Sequence, residues 1–268
     1  MSLARSVTTV LGASAIDIDA ARWIAAVGQA NVSGARGRLV SDTIRALKGA
    51  GVWNALDFLP VLCAENTASA LVDWKNLRTM TATNSPTFTT DRGYAFDGAT
   101  SYINTGFIPS THATSATGTS QMIGVYERTN VASTGRAFGA NVVTPTQSVH
   151  ILPYNGSSAF ATINTTNVAY VTGFADSRGL IVAAATGTAG AGYKNGVAGL
   201  TPTLTSPGSS LVNIALFIGG YNQGGSLSLP RASTLGYCMF GANAWAAAQH
   251  AAFYNAMQQY MIRLGAAV

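Results

Sequence analysis

The chain has 268 residues with 48% hydrophobic and 9% charged side chains and a formal net charge of +5, against about 25% charged residues in an average soluble protein. No stretch nears the roughly 18 consecutive apolar residues of a membrane span, and so few charges beside so much apolar content is the reverse of the disordered signature. A folded, charge-poor chain long enough to bury its own core remains.

Charge is unevenly placed: residues 1–92 hold nine Lys/Arg and seven Asp/Glu, residues 93–268 only six and three. The six later cations (Arg128, Arg136, Arg178, Lys194, Arg231, Arg263) stand singly, whereas nucleic-acid binding needs a clustered basic stripe. No nucleic-acid partner is expected, and no membrane insertion.

Met1–Ala15 starts basic and contains a short apolar stretch before Ala13-Ser14-Ala15. It is too short and threonine-rich for the core of a secretory leader and is read as an N-terminal arm, residues 1–15, that anchors on a neighbouring subunit. A helical segment follows over 16–75. Asp17 or Asp19 caps a first helix with Trp23, Ile24 and Val27 on one side and Gly28 past its end. A second follows Ser33, with Val40, Ile44 and Leu47 at helical spacing and Gly49 and Gly51 as stops. Val52–Cys63 is apolar, but Pro60 restricts it to an edge strand or turn.

Residues 76–268 read as β. Short runs rich in Thr, Val, Ile, Tyr and Phe alternate with Gly, Asn, Ser and Pro clusters, as in an antiparallel sandwich. Asp97-Gly98 predicts a hairpin between Tyr94–Phe96 and Ser101–Thr105, and Asn195-Gly196 a type I′ hairpin between Gly192-Tyr193 and Val197-Ala198. Further strands are expected at Ser120–Glu127, Ser148–Pro153, Ala159–Ile163, Gly179–Ala185, Ile214–Ile218 and Ser233–Phe240. Gly219–Gly225 reads as a flexible loop. Asn243 is expected to cap a closing helix, Ala244–Leu264, with Trp245, Ala248, Ala252, Met257, Tyr260 and Leu264 on its apolar side.

Gly93-Tyr94-Ala95-Phe96-Asp97-Gly98-Ala99-Thr100-Ser101-Tyr102-Ile103-Asn104-Thr105-Gly106 resembles the opening hairpin of laminin-G-like, concanavalin A-like jelly rolls. Gly192-Tyr193-Lys194-Asn195-Gly196 is similar to their Tyr-then-Asn-Gly hairpin. Closer still is a resemblance to phage and prophage virion structural proteins of this type, carried by Gly51-Val52-Trp53-Asn54-Ala55-Leu56-Asp57, by Asp73-Trp74, and by Ser85–Tyr94, and covering residues 35–265. It implies a mainly β fold: a concanavalin A-like antiparallel β-sandwich preceded by a short helical segment and closed by a helix. It further implies a bacteriophage virion surface protein, partnered by other virion proteins and by further copies of itself, a trimer being common for such projections.

Glycoside hydrolases on this fold use paired carboxylates, in one branch as Glu-x-Asp-x-Glu on a strand, where period 2 points all three into the cleft. Glu65 and Glu127 are the only glutamates, and neither has an acidic residue two positions away. Asp17 and Asp19 have that spacing at a helix start, where capping explains them. No Gly-x-Ser-x-Gly elbow occurs, and His112, His150 and His250 lack the neighbours of a zinc set. No enzyme, cofactor or metal is expected. Asp97 reads as a turn residue, His150 as a core or interface histidine, and Cys63 and Cys238 as two buried thiols rather than a bridge. Sugars are held by neutral hydrogen-bonding side chains beside an aromatic ring, and two loops have that composition. They nominate Tyr154, Asn155, Tyr221, Asn222 and Gln223 as carbohydrate-binding residues. Lectin-like host adhesion is the first expectation; a structural capsid or tail decoration protein without glycan binding is the alternative.

Overall fold

The computed structural model describes residues 15–143, 147–164, 166–205, 208 and 210–268; but for Ala15, the expected N-terminal arm lies outside the described residues. Helices α1 (Ile18–Val27) and α2 (Gly34–Gly49) come first. The Asp17 carboxylate caps α1 by accepting from the Asp19 amide, and Gly28 ends it at φ 89°. Ser33 caps α2, its hydroxyl accepting from the Arg36 amide at 3.2 Å. Both starts are those the capping residues predict.

The chain continues through β1 (Leu56–Phe58), α3 (Thr67–Ala70), β2 (Thr81–Thr83), β3 (Thr87–Thr89), β4 (Gly93–Ala95), β5 (Tyr102–Asn104), α4 (Pro109–His112) and β6 (Ser120–Glu127). Then come β7 (Phe138–Val142), β8 (Gln147–Leu152), β9 (Ser158–Ile163), β10 (Thr166–Thr172), β11 (Gly179–Thr186), β12 (Ala189–Lys194) and β13 (Val197–Ala198). The last are β14 (Phe217–Ile218), β15 (Tyr221–Gln223), β16 (Ser226–Ser228), β17 (Thr234–Gly241) and α5 (Ala247–Arg263).

Two sheets face each other. The inner sheet runs β13-β12-β11-β6-β17-β4-β3, with β1 on the side of β17; the outer sheet runs β10-β9-β8-β7-β14-β5-β2, with β15 and β16 attached. Pairing is antiparallel except between β15 and β7. The expected β-sandwich, with helices before and after it, is what forms. Pro60 sits where the β1 segment flanks β17, its carbonyl accepting from the Cys238 amide at 3.1 Å.

Strand burial follows from what covers each face. Along β6, Ile123 and Val125 enter the core between the sheets, while Met122 and Tyr126 enter a second core beneath the helices. β11 divides likewise, Ile181, Ala183 and Ala185 against Leu180, Val182 and Ala184. Covered on both faces, such strands read as continuous apolar runs. The second core holds Trp23, Val40, Ile44 and Leu47 from α1 and α2 and Phe253, Met257, Tyr260 and Met261 from α5. The molecule is thus three layers: helices, inner sheet, outer sheet.

The residues carrying the family resemblance have structural duties. Asp57 accepts from the amides of Thr114, Ser115 and Ala116 at 2.7–2.8 Å. Asp73 accepts from those of Leu59, Lys75 and Asn76 at 2.7–3.0 Å, and its burial raises its pKa to about 6. The Trp53 indole donates to Asp19 at 3.1 Å.

Several local expectations are corrected. Asp97-Gly98 does not close a hairpin. β4 is already flanked by β3 and β17, so β5 has no edge to pair with there and crosses to the outer sheet beside β2 and β14. Asp97 turns that corner by accepting from the amides of Ala99, Thr100 and Ser101, which holds its carboxyl well below the usual range. Asn195-Gly196 does form its hairpin, with φ 51° and 76° and Lys194 paired to Val197, as a type I′ turn requires. The expected loop at 219–225 contains strand β15, because β7 and β16 both supply it with partners.

Asn243 does not cap the last helix; its amide donates to Thr186 Oγ1 at 3.0 Å. Trp245 packs on Phe253 with ring centroids 5.1 Å apart, the helix starts at Ala247, and the Ala246 amide is satisfied by Gln249 Oε1 at 3.0 Å. Ala248 is exposed, and the buried side is His250, Phe253, Met257, Tyr260 and Met261. Cys63 and Cys238 are both free and buried, on opposite faces of the inner sheet: Cys63 in the helix-facing core, Cys238 in the inter-sheet core. Burial pushes the Cys63 thiol up to about 12.

Candidate ligand-binding face of the outer sheet

The two outer faces of the molecule differ. Helices cover the inner sheet, but no residue of the outer sheet enters the helix-facing core. Strands β8 and β9 therefore alternate: Val149, Ile151, Ala159, Ala161 and Ile163 point into the sandwich, and period 2 sends Ser148, His150, Leu152, Phe160 and Thr162 the other way. Neutral polar pairs occupy this face. Thr162 Oγ1 donates to Asn167 at 3.1 Å, and the Ser148 hydroxyl donates to Asn141.

At one end of this face lies a cleft of about 290 Å³ lined by Thr134, Arg136, Leu152, Asn155, Phe160, Asn167 and Leu229. Phe160 is half-buried and Asn155 and Asn167 are exposed. Leu229, 47% exposed, is held at φ 42°, and its carbonyl accepts from the Arg136 amide at 2.8 Å. A branched side chain in the left-handed region is held there only by its surroundings.

Those surroundings are organised from below by a buried ion pair. Glu127, the last residue of β6, receives Arg231 Nε at 2.7 Å and Nη2 at 3.0 Å, with both side chains fully buried. The remaining guanidinium hydrogens go to backbone carbonyls: Nη1 to Ser133 (3.1 Å), Gly135 (3.4 Å) and Tyr154 (3.2 Å), and Nη2 to Val131. One side chain thereby ties together the two loops that place Thr134, Arg136 and Asn155. Read as one scattered cation, Arg231 had no signal in the sequence; the pairing joins residues 104 positions apart.

Arg136 donates through Nε to His150 Nδ1 (3.1 Å) and through Nη1 to the Thr134 carbonyl (3.0 Å). The His150 ring stacks on Tyr221 at 4.6 Å and 22°, and the Tyr221 hydroxyl donates to Gln223 at 2.9 Å. Burial first, then the Arg136 charge, pushes the His150 pKa down to about 3. The imidazole is neutral and, since Nδ1 accepts, carries its hydrogen on Nε2.

A pH dependence follows. Below an ordinary value of about 6.5 the unfolded chain binds a proton at this position that the native state refuses, so stability falls with pH by up to ~1.4 kcal/mol per unit. His250, pushed down to about 4 by burial, acts in the same direction, and Asp73, raised to about 6, in the opposite one. His150→Gln should therefore flatten the urea midpoint against pH between 6.5 and 4 by the equivalent of one proton. An unaltered slope would show that His150 titrates in the native state.

The five nominated residues divide. Asn155 lines the cleft, its Oδ1 accepting from the Ser157 and Ser158 amides at 3.0 Å. Gln223 is exposed at the end of β15. Tyr221 is 7% exposed and stacked on His150, so it supports the face rather than presenting a ring to solvent. Asn222 is 3% exposed, donates to the Ala215 carbonyl (2.8 Å) and accepts from the Gly225 amide (2.7 Å), which corrects its assignment as a ligand group. Tyr154 is corrected likewise: it packs on Phe174 with centroids 4.9 Å apart, and its hydroxyl donates to the Gly156 carbonyl. Sequence reading missed Phe160, Asn167 and Arg136. The alternation of Phe160 and Thr162 with Ala159, Ala161 and Ile163 was the available signal.

Among the described residues no carboxylate lines the cleft. Asp17 and Asp19 pair with Lys48, Asp91 with Arg36, Asp176 with Arg178 and Glu127 with Arg231. Asp42 pairs with Arg45, Glu65 accepts from the Ser33 amide, and Asp57, Asp73 and Asp97 hold turns. Among the described residues no group of three His, Cys, Asp or Glu side chains is placed to hold a metal ion, and no helix is long and apolar enough to cross a membrane.

No family model and no curated protein matches this sequence. Solved structures do match in fold. Trypanosoma rangeli sialidase in complex with sialic acid aligns at a TM-score of 0.55 and 10% identity, over 83% of this chain and 39% of that one. Domain 4 of AbnA, an extracellular GH43 arabinanase from Geobacillus stearothermophilus in complex with arabinotriose, aligns at 0.51 and 14%, over 74% of this chain and 98% of that one. A mutant of HCR/D aligns at 0.53 and 7%, over 76% and 53%. The chain thus spans about two-fifths of the sialidase's length. At these identities the likeness is one of architecture, a two-sheet antiparallel jelly-roll β-sandwich.

Proposed function

We propose that this protein is a non-enzymatic, lectin-like module that recognises glycans through the cleft on its outer sheet. One observation carries the reading: the face without helices ends in a cleft that combines an aromatic ring (Phe160), amides (Asn155, Asn167), a hydroxyl (Thr134) and a guanidinium (Arg136), with no carboxylate among the described residues. Polar groups in fixed positions beside an apolar surface are what orient a small ligand. Most glycoside hydrolases use two carboxylates flanking the bond, and every acidic side chain described above has a structural partner.

The fold likeness to a sialidase and to a domain bound to arabinotriose supports the same reading. A place on a bacteriophage virion, in several copies beside other virion proteins, rests on the sequence resemblance of residues 35–265. Gold-labelled antibody on intact particles tests it: label on tail tip or fibres supports host adhesion, label over the head supports decoration, and none at all overturns the virion assignment. The decoration reading has its own observation, a shallow, largely apolar depression on and before α1 lined by Ile16, Ala21, Ile24, Ala25 and Gln29.

The whole chain applied to a panel of immobilised host-surface glycans should retain at least one class. Phe160→Ala should weaken that binding tenfold or more, about 1.4 kcal/mol, with the melting temperature kept within a few degrees because the ring is half-buried on the open face. Silence across the panel, or binding indifferent to Phe160, would overturn the assignment.

A further inference from the structure

We propose that the cleft selects glycans bearing a carboxylate, a uronic or a sialic acid residue, and that Arg136 is the group that reads it; this rests on the glycan-binding reading above. Among the described residues Arg136 is the only charged one lining the cleft, and it is half-buried. Arg36, Arg178 and Arg231 each have a carboxylate partner at 2.6–2.7 Å. Arg136 has none among the described residues: the atoms it bonds are His150 Nδ1 and the Thr134 carbonyl, both neutral. Its Nη2 makes no hydrogen bond to the described residues.

These contacts orient the guanidinium without neutralising it. The imidazole beneath it stays uncharged and is itself pinned by the Tyr221 ring, so the planar group is pre-set before any ligand arrives. A half-buried cation without a counter-charge is unfavourable, and an incoming anion relieves that cost. A planar carboxylate matches a guanidinium edge, and the cleft offers one cation, suited to one negative charge. Around it stand donors and surfaces for the rest of a sugar ring. Asn155 and Asn167 have their carbonyl oxygens engaged and donate no amide hydrogen to the described residues, Thr134 adds a hydroxyl, and Phe160, Leu152 and Leu229 supply apolar contact.

The test is calorimetric titration of the whole chain with three probes: galacturonate oligomers, a sialylated lactose, and neutral galactose oligomers of matched length. One carboxylated probe should bind at least tenfold tighter than the neutral one, and which of the two does so identifies the acid. The advantage should shrink in 0.5 M salt. Arg136→Gln should abolish that advantage, bringing the acidic probe to the affinity of the neutral one on the same variant, and Arg136→Lys, which keeps the charge but loses the fork, should retain part of it. Melting curves of both variants check that the fold survives. Equal binding of neutral and acidic probes, or an acidic preference that persists in Arg136→Gln, overturns this inference alone. Binding of none of the three overturns it together with the glycan-binding reading.

Discussion

Replacing Arg231 by Met should lower the free energy of unfolding by about 3–5 kcal/mol, because it leaves the Glu127 carboxylate buried without a counter-charge. For a chain of this size each kcal/mol moves the melting temperature by about 2–4 °C, so the melt should fall by roughly 6–20 °C. The loss has two sources. The bidentate pair disappears, and the carbonyls of Val131, Ser133, Gly135 and Tyr154 lose the donor that holds their loops. The double variant Glu127→Leu, Arg231→Met should recover part of the stability, since removing both charges removes the desolvated ion. It should not recover ligand binding, because the loops carrying Thr134, Arg136 and Asn155 stay untied. Urea unfolding of the two single variants and the double variant forms the cycle. A single-variant loss under 1 kcal/mol would mean that the pair contributes little net stability.

The second large effect is expected at Trp74→Ala, about 3–5 kcal/mol. Trp74 is 1% exposed and makes edge contacts with Trp23 of α1 (6.0 Å, 62°) and Tyr260 of α5 (5.1 Å, 89°). Around this ladder, Trp23 donates to the Val72 carbonyl at 3.0 Å and Tyr260 to the Cys63 carbonyl at 2.9 Å. Both acceptors lie in the segment joining the helices to the sandwich, so the cavity opens where the first and last helices meet it. Unfolding should show the full loss, and limited proteolysis should cut first near α1 and α2. Ile262→Ala, at a position 51% exposed, is the control and should stay within about 0.5 kcal/mol. A Trp74 variant as stable as that control would show that the helical layer adds nothing to the sandwich.

Much of this architecture is legible along the chain because its causes are local. Asp17 and Ser33 start helices by offering an acceptor to nearby amides, Gly28 stops one through its left-handed backbone, and Asn195-Gly196 turns a hairpin because both residues tolerate positive φ. Runs rich in β-branched and aromatic residues between turn-forming clusters located β6, β8, β9, β11 and β17 within a residue or two. The resemblance motifs pointed to the sandwich because their residues hold its turns and packing.

What the tertiary structure decided depends on partners distant in sequence. Asp97-Gly98 is a turn in either reading, but whether the following strand folds back or crosses over depends on β3 and β17 already occupying both edges of β4. The glycines around Tyr221–Gln223 suggest a loop until β7 and β16 supply strand partners, and that pairing turns Asn222 inward, away from any ligand. Arg231 and Arg136 are indistinguishable as isolated cations in sequence. The first has a carboxylate delivered to it by β6 and becomes structural; the second meets only a neutral imidazole and a carbonyl, and so keeps its charge facing the cleft. Local hydrogen bonding and periodicity are properties of neighbouring residues, whereas desolvation and charge pairing are set by whichever residues the completed fold brings alongside.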